Sequence, residues 1–425
     1  MLHDQRPAAD AASKSNSPPL KIEIISPTLA HQADSPYSTR MRARAIQATG
    51  CDVEVFAFPD VYPPAVGELG VRYCGISRVK SARSMRWMAA LRKKLGNYWR
   101  FIFEPYFTMR AGFARAAKRG CAMVFIADVE PWISFLLFAE LWLRRYPVPI
   151  VGQIPGNYDA PIAARLTARV RCFLNHRFST VLPKFIDVVG TSKHILATLF
   201  IDKSGRAVVV PEGHESRMGT RSTAEARARL KLPPTDRILL LFGVASKAKG
   251  ADILFEALEK IPANFTVCIV GMTGDVYEDS WGSTERLQKA GWTEKLHIVS
   301  RFVTEDEMQD YYAACDAVVI PYKKGFAGTS THLRRASEYG KAIVGCDQYH
   351  IGDQVRKYDL GLVFKTDDAD ALAESLRRFA AMSAADFEQI KTRSYRLLED
   401  ESWANVGKMY RKLFESILAR RSAQR

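Results

Sequence analysis

Residues 237–258 read RILLLFGVASKAKGADILFEAL and hold the pattern that decides the fold. The apolar run at 237–244 is typical of a buried strand, a glycine-containing loop follows, and residues 250–260 have the periodicity of an amphipathic helix. Residues 317–345, AVVIPYKKGFAGTSTHLRRASEYGKAIVG, repeat the order of strand, loop and helix and end in another apolar run. Each stretch predicts a βαβ unit, which is the building block of a parallel sheet.

The same alternation extends over most of the 425 residues. We predict strands at 21–26, 51–58, 121–126, 148–153 and 186–190 in the first half, and at 265–271, 295–301, 317–321, 342–346 and 362–364 in the second, with a short apolar run at 208–211 between the two series. Another helix is predicted at 305–315, and a polar, charged stretch at 212–236 separates the two series. The chain is too long for one ordinary core. The sequence therefore predicts an α/β protein with two Rossmann-like domains facing across a cleft and a helical C-terminal segment.

The domain limits follow from these patterns. Residues 1–20 lack apolar periodicity and predict a disordered tail. We place the N-terminal domain at 21–205 and the C-terminal domain at 206–380. Residues 381–425 have helical periodicity and are expected to pack back on the N-terminal domain.

Composition narrows the class of protein. The formal net charge of +15 favours an anionic partner, whether nucleotide, membrane surface or nucleic acid. The seven cysteines are scattered without a CxxC pair, which argues against a disulfide framework or a zinc site and fits a reducing cytoplasm. The longest apolar stretch, 132–143, is shorter than the roughly 20 residues of a membrane span. We expect a cytoplasmic protein with no metal site.

Two loops of the second half are suited to an anion. Lys247 and Lys249 come just before the predicted helix at 250–260, where backbone N–H groups already favour negative charge. Gly328, Thr329 and Ser330 open the next helix, and small residues let a ligand approach the backbone closely. Solvated lysines and a well-capped helix are the alternative interpretations. Because both loops follow strands of one parallel sheet, together they suit a diphosphate.

Five blocks of the second half occur in a specific order. They are FGVASKAKGADILFEAL (242–258), FTVCIVG (265–271), HIVSRFVTEDEMQDYYAACDAVVIPY (297–322), GTSTHLRRASEYGKAIVG (328–345) and YDLGLVF (358–364). These blocks resemble the donor domain of GT-B glycosyltransferases, especially the retaining family four, also called group 1. The first half resembles that family more loosely, through SPYSTRMRARAIQATGCDVEVF (35–56), DVVGTSKHI (187–195) and VVVPEGH (208–214).

The resemblance implies that the second domain binds a UDP- or GDP-linked sugar as substrate, without a cofactor or metal, and that the first binds the acceptor. It implies that Lys249 contacts the donor diphosphate, that the Gly328–Thr329–Ser330 amides lie near the phosphates, and that Gly271 and the Phe302–Val303 turn lie near the nucleoside. The full set of expected donor-binding residues is Gly243, Lys247, Lys249, Gly271, Phe302, Val303, Gly328, Thr329, Ser330 and Glu338.

The second half departs from the family pattern at three positions. Val244 stands where an arginine usually accompanies the lysine, and Ala327 and Arg335 stand where two glutamates are usual. Glu338, one turn further along the predicted helix, is expected either to take over ribose binding or to be a surface helix residue.

Acceptor binding and catalysis are expected from the ends of the N-terminal strands. Asp128 and Glu130 follow the strand at 121–126 and, with Lys249, are the catalytic candidates. Both carboxylates could instead cap the helix after Pro131. Asp34 and Asn157 are the candidate acceptor-binding residues. No nucleophile–base pair is evident, and the resemblance implies that a donor phosphate helps to deprotonate the acceptor.

Residues 78–119 combine many basic side chains with bulky apolar ones. Such a segment can lie in an anionic membrane interface, although a packed helix with a solvated basic face has the same pattern. The expected membrane-binding residues are Arg86, Trp87, Arg92, Lys93, Lys94 and Trp99.

The resemblance implies a retaining glycosyltransferase that acts on a glycan or lipid-linked acceptor in polysaccharide or glycolipid biosynthesis. We expect it to be peripheral on the cytoplasmic face of the inner or plasma membrane. One rival is an enzyme of the same fold that modifies nucleic acid, although nucleic acid is not the partner we expect. The other is a non-catalytic sugar-nucleotide-binding or scaffold protein, which the departures at Val244, Ala327 and Arg335 would explain.

Overall fold

The computed structural model confirms the predicted architecture of two α/β domains with parallel sheets. It describes residues 18–26, 35–57, 72–75, 104–127, 129, 146, 148–154, 173, 178–198, 205–214, 219–243, 249–271, 285–326 and 328–423. Among these residues no helix is both long and apolar enough to cross a membrane.

The N-terminal sheet is entirely parallel where it is described. Its strands are β1 (Lys21–Ser26), β2 (Asp52–Ala57), β3 (Arg72–Gly75), β4 (Met123–Ile126), β5 (Ile150–Ile154), β6 (Asp187–Gly190) and β7 (Ala207–Val209). They lie in the order β3-β2-β1-β4-β5-β6-β7. The described helices of this domain are α1 (Ser35–Gln47), α2 (Glu104–Arg119) and α3 (Lys193–Thr198).

Alternate residues of the central strands enter two separate cores. On β4, Val124 and Ile126 pack on one face with α2, whereas Met123 and Phe125 pack on the other with α1. A strand that is buried on both faces must be apolar throughout, and this is the reason why these strands read as continuous apolar runs.

The C-terminal sheet holds the candidate site. Its strands are β8 (Ile238–Phe242), β9 (Thr266–Val270), β10 (Leu296–Val299), β11 (Ala317–Ile320), β12 (Ala342–Cys346) and β13 (Gly361–Phe364). Within the described residues their order is β10-β9-β8-β11-β12-β13. The flanking helices are α4 (Thr223–Leu230), α5 (Ala251–Leu258), α6 (Glu305–Ala314), α7 (Thr331–Glu338), α8 (Tyr349–Tyr358) and α9 (Ala369–Ala381).

The domain boundary at 205/206 is wrong. The strand β7, at Ala207–Val209, pairs with β6 and completes the N-terminal sheet. The helix α4 packs on α6 and belongs to the C-terminal domain. The change of domain therefore falls within residues 211–222, a shorter link than the predicted stretch at 212–236. Strand β3, which was not predicted, adds a four-residue edge to the N-terminal sheet.

The two C-terminal helices serve different domains. The first, α10 (Ala384–Asp400), buries Ile390 and Leu397 in the C-terminal core. The second, α11 (Trp403–Ala423), crosses to the N-terminal domain and packs against α1. The helices α1 and α11 approach closely, since a Cβ atom added at Gly407 would lie 2.2 Å from the Ala45 carbonyl oxygen.

Polar contacts join the domains beside a cleft. The Asp353 carboxylate on α8 lies 2.8 Å from both Lys193 Nζ and His194 Nε2 on α3. The backbone of His214 in the link pairs with the segment between α10 and α11, because its N–H donates to the Glu401 carbonyl at 2.7 Å. Thr191, which follows β6, and His350, which follows β12, line one groove of about 780 Å³. The carboxyl ends of these two strands therefore face the same cleft.

Candidate active site

The two loops expected to bind an anion lie side by side. Strands β8 and β11 are neighbours, with Leu239 opposite Ala317 and Leu240 opposite Val318. The loops that follow them end at α5 and α7, so the N-termini of both helices lie at the same edge of the sheet. The contact is tight at Gly250, where a Cβ atom would lie 1.8 Å from the Pro321 carbonyl oxygen.

Lys249 contacts the first turn of α7. Its Nζ lies 3.3 Å from His332 Nε2 and 5.8 Å from the centre of the Tyr322 ring. His332 Nδ1 lies in turn 2.8 Å from the hydroxyl of Tyr312, which is fully buried. One ammonium group is thereby placed where two helix N-termini meet, and both its charge and the helix dipoles favour an anion there.

Gly243 and Gly271 lie beside this ammonium group and form one wall of the candidate site, which we call the glycine floor. Gly243 has φ +107°, and a Cβ atom there would lie 2.8 Å from His332 Nε2 and 3.1 Å from Lys249 Nζ. Gly271 has φ +84°, and its Cβ would be 3.5 Å from the backbone of Gly243. Only glycine accepts these backbone angles readily and leaves the space open. The structure thus brings together three of the residues expected to bind the donor, Gly243, Lys249 and Gly271, with His332, which is not among the expected residues.

His332 is held as the neutral imidazole. Burial and the positive charges of Lys249, Arg334 and Arg335 lower its pKa from 6.5 to about 3. An ammonium group can only donate, so Nε2 accepts from Lys249. The ring proton is then on Nδ1 and is donated to the Tyr312 oxygen.

This lowered pKa predicts acid destabilisation. The unfolded chain protonates His332 near pH 6.5, whereas the folded imidazole stays neutral down to about pH 3. The stability contributed by the neutral ring is therefore complete above pH 6.5 and is lost as pH falls towards 3. At pH 5 the loss is about 2 kcal/mol. Urea unfolding at pH 8 and pH 5 should show a smaller decline for His332→Gln than for the wild type.

His350, whose pKa burial lowers to about 4, is present in both proteins and cancels from this comparison. Equal declines in the wild type and the variant would contradict the assignment of a neutral His332.

Hydrogen bonds of Ser330, and of Gln348 from the segment after β12, hold the loop before α7 in place. Ser330 is the N-cap of α7, and its hydroxyl accepts from the Leu333 N–H at 3.4 Å and lies 3.3 Å from the Tyr322 hydroxyl. Gln348 donates to the Tyr322 carbonyl at 2.9 Å and accepts from the Gly325 N–H at 3.3 Å. The Ser330 hydroxyl is therefore engaged in capping. Both Ser330 and Gly328, which is two residues earlier, are buried at the start of the helix.

The other predicted donor residues lie farther along the sheet edge. Phe302 follows β10 and is 87% exposed, whereas Val303 is 7% exposed. The Gly271 N–H donates to the Val299 carbonyl at 2.9 Å, which ties the end of β10 to the glycine floor. Phe302 is thus a large apolar side chain that is open to solvent. It lies in the turn that the resemblance implies to be near the nucleoside.

Glu338 lies at the far end of α7. It is six residues beyond His332, which corresponds to about 9 Å of helix rise. Its carboxylate is buried, 3.3 Å from Arg335 Nη1 and 4.0 Å from Arg334 Nε. Arg335 also pairs with Glu305 at 2.8 Å. The structure does not bring Glu338 to the Lys249 ammonium group, and its role in ribose binding stays a prediction.

Several predicted site residues lie outside the described part of the chain. They are Asp34, Arg86, Trp87, Arg92, Lys93, Lys94, Trp99, Asp128, Glu130, Asn157 and Lys247. Val244 and Ala327 lie outside it as well. The described residues contain no group of three or more His, Cys, Asp or Glu side chains that could hold a metal ion.

Comparisons with known sequences match the second domain to a known family. The family model "Glycosyl transferases group 1" matches residues 222–394. A D-inositol 3-phosphate glycosyltransferase of Streptomyces bingchenggensis is 28% identical over 166 residues. The match covers 37% of this chain and 36% of that protein, so it spans about a third of the relative's length.

Solved structures extend the likeness to the whole chain. Sucrose-phosphate synthase from Thermosynechococcus elongatus superimposes with a TM-score of 0.68 at 19% identity, over 94% of this chain and 99% of that one. HepE of Anabaena, solved in complex with UDP, gives a TM-score of 0.66 at 12% identity, over 93% and 100%. Identities this low speak for the fold alone. The chain therefore has the GT-B fold, and its residues 222–394 form a glycosyltransferase domain of group 1.

Proposed function

We propose that this protein transfers a sugar, with retention of configuration, from a UDP- or GDP-linked donor to a glycan or lipid-linked acceptor. The observation that carries the proposal is the Lys249 ammonium group at the meeting point of two helix N-termini, 3.3 Å from His332 Nε2. The membership of residues 222–394 in group 1 supports it. So do the structures of HepE, which is in complex with UDP in one and with UDP-glucose in another.

The arrangement suits the departure of a nucleoside diphosphate. Breaking the glycosidic bond leaves negative charge on the diphosphate, and preorganised donors aimed at developing charge lower the barrier. Lys249 would supply a full positive charge, and the first N–H groups of α5 and α7 would supply partial ones. The glycines at 243 and 271 leave room for the phosphates to approach the backbone.

Retention is part of the proposal because of the group 1 domain. A donor phosphate oxygen would accept the proton of the acceptor hydroxyl, with the two held in contact on the face that the leaving group occupies. The configuration of the product at its anomeric carbon, read by NMR, tests this step. An inverted product would contradict it.

Donor binding is the first test of the proposed function. We expect UDP, GDP or both to stabilise the folded protein, by about 2.7 kcal/mol when the ligand is at 100 times its dissociation constant. Thermal unfolding with UDP, GDP and the matching nucleosides measures this shift, and the nucleosides should stabilise less because they lack the diphosphate. Transfer is then assayed with the corresponding radiolabelled nucleotide sugars.

The outcomes separate the alternatives. Stabilisation without transfer or hydrolysis would favour a non-catalytic sugar-nucleotide-binding protein. No stabilisation by either diphosphate would contradict the donor site.

We propose in addition that the protein binds an anionic membrane surface, which would give access to a lipid-linked acceptor. The support is the sequence at 86–99, where basic and bulky apolar residues are interleaved. Each basic residue near an anionic surface contributes about 1 kcal/mol. We expect co-sedimentation with anionic but not neutral liposomes at low salt, and its loss on changing Arg92, Lys93 and Lys94 to Ser.

A matched control removes three exposed basic residues of the C-terminal domain, Lys289, Lys365 and Arg396, and should leave liposome binding unchanged. Wild-type protein that stays in the supernatant with anionic liposomes would contradict membrane binding. Retention on DNA without liposome binding would favour the nucleic-acid rival instead.

A further inference from the structure

We propose that His332 is a positioning residue that holds the Lys249 ammonium group in place for the donor diphosphate; this inference rests on the proposed function. Lys249 ends the loop before α5 and His332 lies in the first turn of α7, so only the fold brings them together, with Nζ and Nε2 3.3 Å apart. His332 would act through Lys249 and need not touch the donor itself.

The contact has a fixed direction. Lys249 donates to Nε2, and Nδ1–H donates to the Tyr312 hydroxyl at 2.8 Å. Tyr312 lies on α6 and is fully buried, so it anchors the imidazole to the domain core. The ring also lies against Phe242, with the ring centres 5.9 Å apart. His332 thus offers a rigid acceptor whose orientation is set from its far side.

A lysine at a phosphate site benefits from such an acceptor. Its ammonium group is carried on a flexible four-carbon stem, and ordering that stem upon binding costs conformational entropy. Holding the group near its bound position before the ligand arrives moves that cost to folding and raises affinity. The close approach of Gly243 to both Nζ and Nε2 shows that the pair lies over the glycine floor, where the phosphates are expected.

A purely structural role for His332 makes a different prediction. If the ring only fills space beside Phe242 and Tyr312, its replacement should alter folding stability, and any loss of affinity should apply to nucleosides and nucleoside diphosphates alike. If it acts through Lys249, the loss should be confined to ligands that carry the diphosphate.

The test uses four variants of the full chain: His332→Leu, His332→Gln, Lys249→Met, and the double variant His332→Leu with Lys249→Met. Leucine keeps apolar bulk but removes the acceptor, whereas glutamine can accept from Lys249 through its side-chain oxygen. Titration calorimetry measures the affinity for UDP, GDP and the two nucleosides, and thermal unfolding confirms that each variant is folded.

We expect His332→Leu to weaken diphosphate binding by about 3- to 10-fold and to leave nucleoside binding unchanged. His332→Gln should stay within about 2-fold of the wild type, and His332→Leu should have almost no further effect when Lys249 is already Met. Unchanged diphosphate affinity in His332→Leu, or an equal loss with and without Lys249, would overturn the inference alone. Wild-type protein that binds neither UDP nor GDP would overturn the proposed function as well.

Discussion

Replacing Lys249 with alanine is expected to raise the dissociation constant for UDP or GDP by about 10- to 150-fold. A charge-assisted hydrogen bond contributes about 1.5–3 kcal/mol, and Lys249 is the ammonium group at the junction of α5 and α7. Transfer should slow together with binding, since the same charge would stabilise the departing diphosphate. Calorimetric titration and initial rates with a labelled nucleotide sugar measure the two effects.

Lys260→Ala is the matched control. Lys260 follows the opposite end of α5, where it pairs with Glu256 and Asp370. Its loss removes an equal charge from the same domain but should leave donor affinity within about 2-fold, because exposed pairs contribute little. Unchanged affinity in a folded Lys249→Ala protein would remove this lysine from the site.

Gly250→Ala is expected to destabilise the C-terminal domain by about 2–5 kcal/mol. The residue has φ +66°, a region that costs other residues about 1–2 kcal/mol, and its new Cβ would lie 1.8 Å from the Pro321 carbonyl. Relieving that overlap requires the α5 and β11 loops to separate, which adds about 1–3 kcal/mol. Urea unfolding measures the loss, and donor affinity should fall too because Lys249 is the adjacent residue.

Gly291→Ala separates the two causes. Gly291 lies in the same domain at φ +89°, but a Cβ there would meet nothing within 4 Å. Its substitution should therefore cost only the backbone term of about 1–2 kcal/mol. Equal losses in the two variants would mean that the contact with Pro321 does not hold the loops together.

The fold was predictable because buried parallel strands are continuous apolar runs. The predicted strand at 317–321 lies at Ala317–Ile320, and the strand at 21–26 has the predicted limits. The domain boundary was not predictable in the same way. Val208 and Val209 on the edge strand β7 are 40% and 43% exposed, so apolar pattern does not reveal which sheet they join. Only the hydrogen bonds to β6 assign them.

The site was predictable only in part, for a related reason. Gly243 and Gly271 directly follow strands, and Lys249 comes just before a helix N-terminus, where local pattern predicts a ligand. His332 lies inside a helix, and nothing near it in sequence indicates that a lysine 83 positions away reaches its ring. A tertiary contact of this kind, between a loop and a helix, leaves no periodic signal. Glu338 shows the converse, since it is a candidate because it lies one turn beyond Arg335, whereas its carboxylate is paired with arginines of its own helix.

The return of α11 to the N-terminal domain has a consequence for folding during synthesis. Ile46 on α1 shares a core with Val406 and Tyr410, which the ribosome adds near the end of the chain. At about 5–20 residues per second, α1 waits about 20–75 s for the helix that covers it. During that interval its apolar face is exposed and open to chaperones. The C-terminal domain, which contains its own strands and α10, completes its core first, so the two domains mature in the reverse of their order along the chain.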